Sequence, residues 1–459
     1  LAACVAVGLA GSVYRMPIQV DDSLDTIIRS AGFESVRDAF VDGMRNSKTI
    51  LRPLKQVQTK LLLDLGERLD DQHAAFRGYH ALLAALLIVL FTSLAGARSW
   101  PGVAALAFAL AVLIGMPTFT GLLREAYPVN HFLLVAIYGL ALLAIARSRG
   151  GWIADIAAVV VFVAATLTLE SGILLLPIAL AGYIAGLRGI SRWGVAAIVA
   201  LTAGYIGLRA GYLGMEGAAL GERATGFGAS MLSSADQIER FSDNPLPLYV
   251  YNIAMAAISV VLSQPEMGQW TIVEAWRDGE VPPVFWLSIL TSLATTALIG
   301  WYLLTRGSTG LRRWREPVPF VFLALLASNA IVSYAYAKVE VVSLAGVFYA
   351  LVAFLAMSEL LQRPLARSRA RTLAVAAALA ILASGWAMRS AGLHFKLRHG
   401  AFDARGGWAA VLSPAAPDEW PRNPRLVALL LQLKEEALTR RNAAATALPR
   451  GYQQWWGED

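Results

Sequence analysis

Charge is what this chain has least of. Only 15% of its 459 residues are Asp, Glu, Lys or Arg, where a soluble globular domain carries roughly a quarter. Cysteine is almost absent: Cys4 stands alone, which excludes an internal disulfide and any cysteine-based metal site. The five histidines (His73, His80, His131, His394, His399) are scattered and lack zinc spacing. No internal repeat is evident. No basic segment precedes the first apolar run, so residues 1–20 read as a truncated first membrane helix rather than a signal peptide. The outer loops inferred below lack Asn-x-Ser/Thr sequons, and the chain is rich in alanine, which suits a bacterial inner membrane.

What the sequence has is long apolar runs. It is 57% hydrophobic with a mean hydropathy of +0.56, and successive runs of about 17–25 residues match a hydrocarbon core of about 30 Å. The expected fold is all-α: a polytopic membrane protein with about eleven transmembrane helices, since the alternating pattern of a barrel is missing. The runs fall at 1–20, 79–97, 101–117, 131–147, 153–169, 172–187, 193–213, 284–304, 320–337, 341–361 and 372–388. The net charge of +7 does not point to nucleic acid, because Lys and Arg gather in short loops where they set orientation. With the amino terminus inside, Arg98, Arg147, Arg149, Arg188, Arg192, Arg306, Arg312, Arg313, Arg315, Arg363, Arg367, Arg369 and Arg371 all face the cytoplasm. Residues 248–262 would break that rule if they spanned. Flanked by Asn244-Pro245-Leu246-Pro247 and Gln264-Pro265, they read as a bent, non-spanning element at the outer interface.

Two polar interruptions stand out. The first, residues 20–80, opens with Asp21-Asp22 and carries Leu51-Arg52-Pro53-Leu54 in its middle. Leu24, Ile27, Ile28 and Ala31, then Val36, Phe40, Val41 and Met44, have helical spacing, which predicts amphipathic helices at the membrane surface. The second lies within 153–187, which as one helix would be about 52 Å long and must therefore fold back. Its only polar stretch, Thr166 to Gly172, puts Glu170 at the tip of a hairpin on the outer face. Residues 215–247 form a Gly- and Ser-rich outer loop. After Met388 the chain is polar, giving a membrane domain at 1–388 and an outer tail at 389–459 that leans on it; Arg425 to Leu438 is the tail's best helix.

The topology sends Asp21, Asp22, Arg52, Arg124, Glu125, Asn130, His131, Glu170, Lys338 and Glu340 to one side. Carboxylates, cations and aromatics at an outer membrane surface suit a lipid-linked phosphate, with a carboxylate to take a proton from an attacking hydroxyl. Each residue also has a plainer reading. Asp21 and Asp22 could cap the next helix, and Arg52-Pro53 could be a headgroup-binding turn. Glu170 could bond only its own turn, His80 could be an interface residue, and Lys338 could snorkel. Tyr334 and Tyr336 fit the aromatic belt.

An acidic pair after the first span, a loop with Arg-Pro, then Phe76-Arg77-Gly78-Tyr79-His80 leading into the second span resembles the GT-C membrane glycosyltransferases, among them the protein O-mannosyltransferases and the lipid A aminoarabinose transferases. Leu167-Thr168-Leu169-Glu170-Ser171-Gly172-Ile173 with Pro177 is similar to a Ser-Lys-Glu-x-Gly segment of O-mannosyltransferase-like members, with Leu169 in place of the lysine. Glu125-Ala126 with Pro128-Val129 resembles their turn between the third and fourth spans. The likeness covers roughly 20–187; beyond that only the topology matches.

The resemblance implies an inverting transfer of a sugar from a polyprenyl phosphate to an extracytoplasmic acceptor, with Asp21 or Asp22 as the catalytic carboxylate. Arg52, Glu125, His131, Glu170 and Lys338 are then expected to bind donor phosphate or substrate. Some members use a divalent cation; no cofactor is specified here. The partners expected are the sugar-bearing lipid, the acceptor and the bilayer. The alternatives are an O-antigen ligase or polymerase, which carries its key outer loop late, a secondary transporter, which binds at the midplane, and a relative that has lost catalysis.

Overall fold

A computed structural model describes residues 1–45, 51–124, 126, 128–208, 244, 246–262, 275–279, 281–307, 316–334, 339–362, 369–413 and 421–439. Of the described residues 84% are helical and none forms a strand, so the all-α expectation stands. Four helices are long and apolar enough to cross a membrane: Gln72–Ala95, Pro283–Thr305, Ser343–Gln362 and Leu373–Ala410. A bent pair, Trp100–Gly115 with Pro117–Arg124, makes a fifth if counted as one span. Seven further apolar helices are shorter. Each of the eleven expected runs falls on a helix, but length and composition alone support four or five crossings rather than eleven.

In chain order, α1 (Ala2–Tyr14) packs along α5 (Gln72–Ala95), with α2 (Asp21–Ala31), α3 (Val36–Arg45) and α4 (Pro53–Leu69) between them in sequence. The two helices expected in the first loop are α2 and α3. α4 was not read from the pattern. It starts where Pro53 takes the first helical position, with its fixed φ, and its missing N–H loses no helical bond there. It ends at Asp70, in the left-handed region at φ 51. Asp71 then caps α5, accepting from the Ala74 N–H at 2.8 Å.

α6 (Trp100–Gly115) and α7 (Pro117–Arg124) meet at 65°. Met116 is extended (φ −80, ψ 137), as a residue before proline prefers. α7 is buried along Thr118 to Leu123. α8 (His131–Ala146) and α9 (Trp152–Thr168) lead to the expected turn: a 3₁₀ segment at Glu170–Leu174, then α10 (Leu175–Ile184). α11 (Arg192–Gly207), α12 (Leu246–Val261), α13 (Pro283–Tyr302) and α14 (Val318–Val332) follow. α12, the run expected to bend at the interface, is one straightforward helix packed beside α14. α15 (Ser343–Gln362) is buried on nearly every face and touches α6, α7, α8, α13 and α14; it is the axis of the core.

α16 (Arg369–Ala410) has 42 residues, about 63 Å of helix. It runs straight through the domain boundary expected at Met388. The reason is one buried stripe (Trp386, Leu393, Leu397, Ala401, Ala404, Trp408) that keeps a helical period beyond the apolar run. α17 (Pro424–Thr439), the helix expected in the tail, lays Leu430 and Leu433 inward and packs on α16 and α5. The tail does lean on the membrane helices.

The α9–α10 turn is tight because Gly172 lies against the Ala165 carbonyl and the Thr166 amide, where a Cβ would meet backbone. Gly204 of α11 has nothing within 4 Å of the same position. We expect Gly172→Ala to lower the thermal midpoint by at least about 3 °C. Gly204→Ala should leave it unchanged or slightly raised, as alanine favours helix. Equal shifts in both variants would show that the turn is not held this way.

Candidate functional site

Arg52 and Glu170, 118 residues apart, meet: Arg52 Nε donates to Glu170 Oε2 at 2.8 Å. Both side chains are about a quarter exposed. Local sequence explains the placement of each. Arg52 precedes Pro53, which denies it helical geometry and leaves it at the cap position of α4 with φ −134 and ψ 57. Glu170 follows Leu169, whose extended backbone (φ −155, ψ 144) breaks α9 before the 3₁₀ turn. α4 packs against α9, which brings the two ends together.

Lys55, in the first turn of α4, is buried. Both Arg52 and Lys55 act electrostatically on His131, the buried first residue of α8. The His131 ring stands 3.2 Å from the Val129 carbonyl through Nδ1. A carbonyl only accepts, so Nδ1 carries the proton and, in the neutral ring, Nε2 is left as an acceptor. Two cations, a carboxylate and an imidazole thus share one neighbourhood. A guanidinium and an ammonium there can hold a phosphate, the carboxylate can orient the guanidinium, and the neutral imidazole can accept a hydroxyl hydrogen bond.

The start of α2 is brought to the same end of the molecule. Ser23 donates through Oγ to the Ala126 carbonyl (3.2 Å), and the Ala126 N–H donates to Gln19 Oε1 (2.6 Å). Ala126 belongs to the α7–α8 connector, as does Asn130, which caps α8 by accepting from the Leu133 N–H at 2.8 Å. Asp21 and Asp22 are the first two residues of α2, with Val20 in the cap position. The capping reading of the pair is therefore corrected: as first-turn residues they sit where the helix dipole favours negative charge. Their side chains lie outside the described residues, as do Glu125 and Lys338. Glu340, beyond Lys338, is buried against Gly121 of α7.

Behind the site lies a polar chain built on Arg77 and His80 of the Phe76-Arg77-Gly78-Tyr79-His80 segment. Buried Arg77 donates through Nε to the Pro17 carbonyl at 3.1 Å and through Nη1 to His80 Nδ1 at 2.9 Å. Asn130 Nδ2 stands 3.0 Å from the other ring nitrogen, Nε2, and also donates to the Leu122 carbonyl. Both neighbours of the ring are donors, and a neutral imidazole has one acceptor nitrogen, so the ring accepts from one of them at a time. His80, expected at the interface, is fully enclosed. The signal available in the sequence was a charge at the mouth of an apolar run, which survives burial only when its donors are met.

A second buried cation, Arg389 of α16, was also missed. It lies over the Trp386 ring at 4.1 Å and donates through Nη1 to Thr291 Oγ1 (2.9 Å) and Ser292 Oγ (3.0 Å) of α13. Ser288, Thr291, Ser292 and Thr295 form a buried hydroxyl stripe at helical spacing, and that spacing was legible. Among the described residues no three His, Cys, Asp or Glu side chains gather as metal ligands.

Alanine variants of Arg52 and Glu170, alone and together, should give a coupling of about 0.5–1 kcal/mol in stability at low salt, shrinking in 1 M salt as the partly exposed pair is screened. Strict additivity would mean that the pair contributes nothing.

Neither the protein-family models, nor the curated proteins, nor the solved structures contain a match to this chain.

Proposed function

We propose that this chain is a membrane glycosyltransferase that moves a sugar from a polyprenyl-phosphate donor to an extracytoplasmic acceptor with inversion. The observation that carries the reading is the Arg52–Glu170 contact beside Lys55 and His131. It joins the first polar loop to the hairpin turn and makes a cationic grip next to a connector that also holds the start of α2. In this reading eleven helices cross a bacterial inner membrane, and the grip faces the periplasm.

The chemistry follows from the groups. One of Asp21 and Asp22 takes the proton of an acceptor hydroxyl as its oxygen attacks the anomeric carbon. The bond from that carbon to the phosphate oxygen breaks on the opposite face, and the phosphate leaves with the electron pair. Arg52 and Lys55 hold the charge that grows on it. A phosphate leaving group needs no proton, so a single carboxylate suffices. Glu170 keeps the guanidinium aimed.

A secondary transporter is the second reading. The α6–α7 break of 65° favours it, since broken helices line transport sites. Against it, the cations and carboxylate gather at helix ends, around the α4 cap and the α9–α10 turn, rather than at mid-helix.

The test uses the purified full chain in lipid nanodiscs, with undecaprenyl phosphate and a panel of its sugar derivatives. Arg52→Ala and Lys55→Ala should each weaken lipid-phosphate binding about tenfold or more, the value of a charge-assisted hydrogen bond. Of Asp21→Asn and Asp22→Asn, at least one should cut transfer by about 100-fold or more while leaving lipid binding intact. Full transfer in both variants and in the double variant would sink the mechanism. Sugar-lipid-independent solute flux through wild-type vesicles would favour the transporter.

A further inference from the structure

The connector between α1 and α2, residues 15–20, is not helical, yet its backbone is tied down by side chains from distant parts of the chain. His73 Nε2 lies 2.7 Å from the Tyr14 carbonyl. Arg77 Nε donates to the Pro17 carbonyl at 3.1 Å, and its Nη2 donates to the same oxygen. Trp408 Nε1 donates to the Ile18 carbonyl at 2.6 Å. His73, Arg77 and Trp408 are all at most 3% exposed. Gly407, beside Trp408, lets α16 approach Val20 so closely that a Cβ would stand 3.2 Å from Val20 Cγ2. Asp21 follows directly.

The far end of α16 is itself fastened. Lys434 of α17 donates to the Val411 carbonyl (2.6 Å) and the Ala409 carbonyl (3.2 Å), closing the carbonyl end of α16. Arg405 donates to the Leu438 carbonyl at 3.2 Å. Glu436 accepts from the N–H groups of Gln72 and His73 at 3.2 and 2.9 Å, so α17 also caps the helix that presents His73 and Arg77. α5 and α16 thus hold a single stretch of chain between them, and α17 braces both.

We propose that Trp408, carried on the end of α16 and braced by α17, is a positioning residue: it fixes the connector that leads into Asp21 and Asp22, and so couples the C-terminal segment to the acidic pair. The proposal rests on the reading that this pair does chemistry. The physical ground is the brevity of α2. Eleven residues are too few for a helix stable on its own, so its first turn takes its place from its attachments: the connector before it and the Ser23 bond to the Ala126 carbonyl. Removing one buried donor leaves the Ile18 carbonyl enclosed without its bond while the ring packing is kept.

The experiment compares wild type with Trp408→Phe, which keeps the aromatic packing and loses the N–H. Amide hydrogen exchange over residues 18–31 should speed up about tenfold or more in the variant, with α8 and α9 unchanged, which a general loss of stability would not give. Turnover should fall about tenfold, while the affinity for undecaprenyl phosphate stays as in wild type. Gly407→Ala, which favours helix but presses on Val20, serves if Trp408→Phe does not fold, and should give the same local signature. Unchanged exchange over 18–31 in the folded variant overturns the proposal whatever the activity. Faster exchange there, together with full transfer by the Asp21 and Asp22 variants, would sink the glycosyl-transfer reading and leave the clamp standing.

Discussion

The contact between the Arg52 guanidinium and the Glu170 carboxylate is the point on which the site's geometry turns. Its energy is modest, because both groups keep partial access to solvent and such pairs contribute about 1 kcal/mol at most. Its consequence is spatial. It holds the first turn of α4 against the α9–α10 turn, and with it come Lys55 and His131. A chain so poor in charge has few ways to gather four polar groups in one place. Here it is done by two breaks in helices, one before Pro53 and one after Thr168, which leave polar residues at helix ends rather than within them.

A second pattern runs through the molecule. Its buried cationic and aromatic donors spend their N–H groups on backbone carbonyls or hydroxyls: Arg77 on Pro17, Trp408 on Ile18 and Arg389 on the Ser288 to Ser292 face. In an apolar interior an unmet donor is expensive, and a carbonyl outside a helix is equally in need of a partner. Pairing the two solves both problems and stiffens irregular backbone where a membrane protein can least tolerate it. The connector before Asp21 is the clearest case, and the α7–α8 connector, where Asn130 bonds the Leu122 carbonyl near the end of α7, is another.

Local pattern made much of this legible. The apolar runs coincide with helices, the polar island in 153–187 is the hairpin turn, and the spacing of Leu24, Ile27 and Ile28 is α2. The failures have physical causes. α16 extends past Met388 because Leu393, Leu397, Ala401 and Trp408 continue a stripe whose intervening residues are polar; a hydropathy window averages that signal away. α4 escaped because Arg52-Pro53 reads equally well as a turn or as a helix start. His80 reads as an interface residue because the burial of a polar group depends on donors and acceptors that come from elsewhere.

What the sequence determined by itself is the parts: little charge, apolar runs of which four or five are long enough to cross a membrane, helices rather than strands among the described residues, and the short polar stretches that stand apart from them. Those follow from local composition and period, which act over a few turns. Only the tertiary structure decided which polar stretches meet. Arg52 reaches Glu170 across 118 residues and Trp408 reaches Ile18 across 390. Those distances are closed by helix packing, and the side chains that make the final contact leave no trace in the spacing of their neighbours.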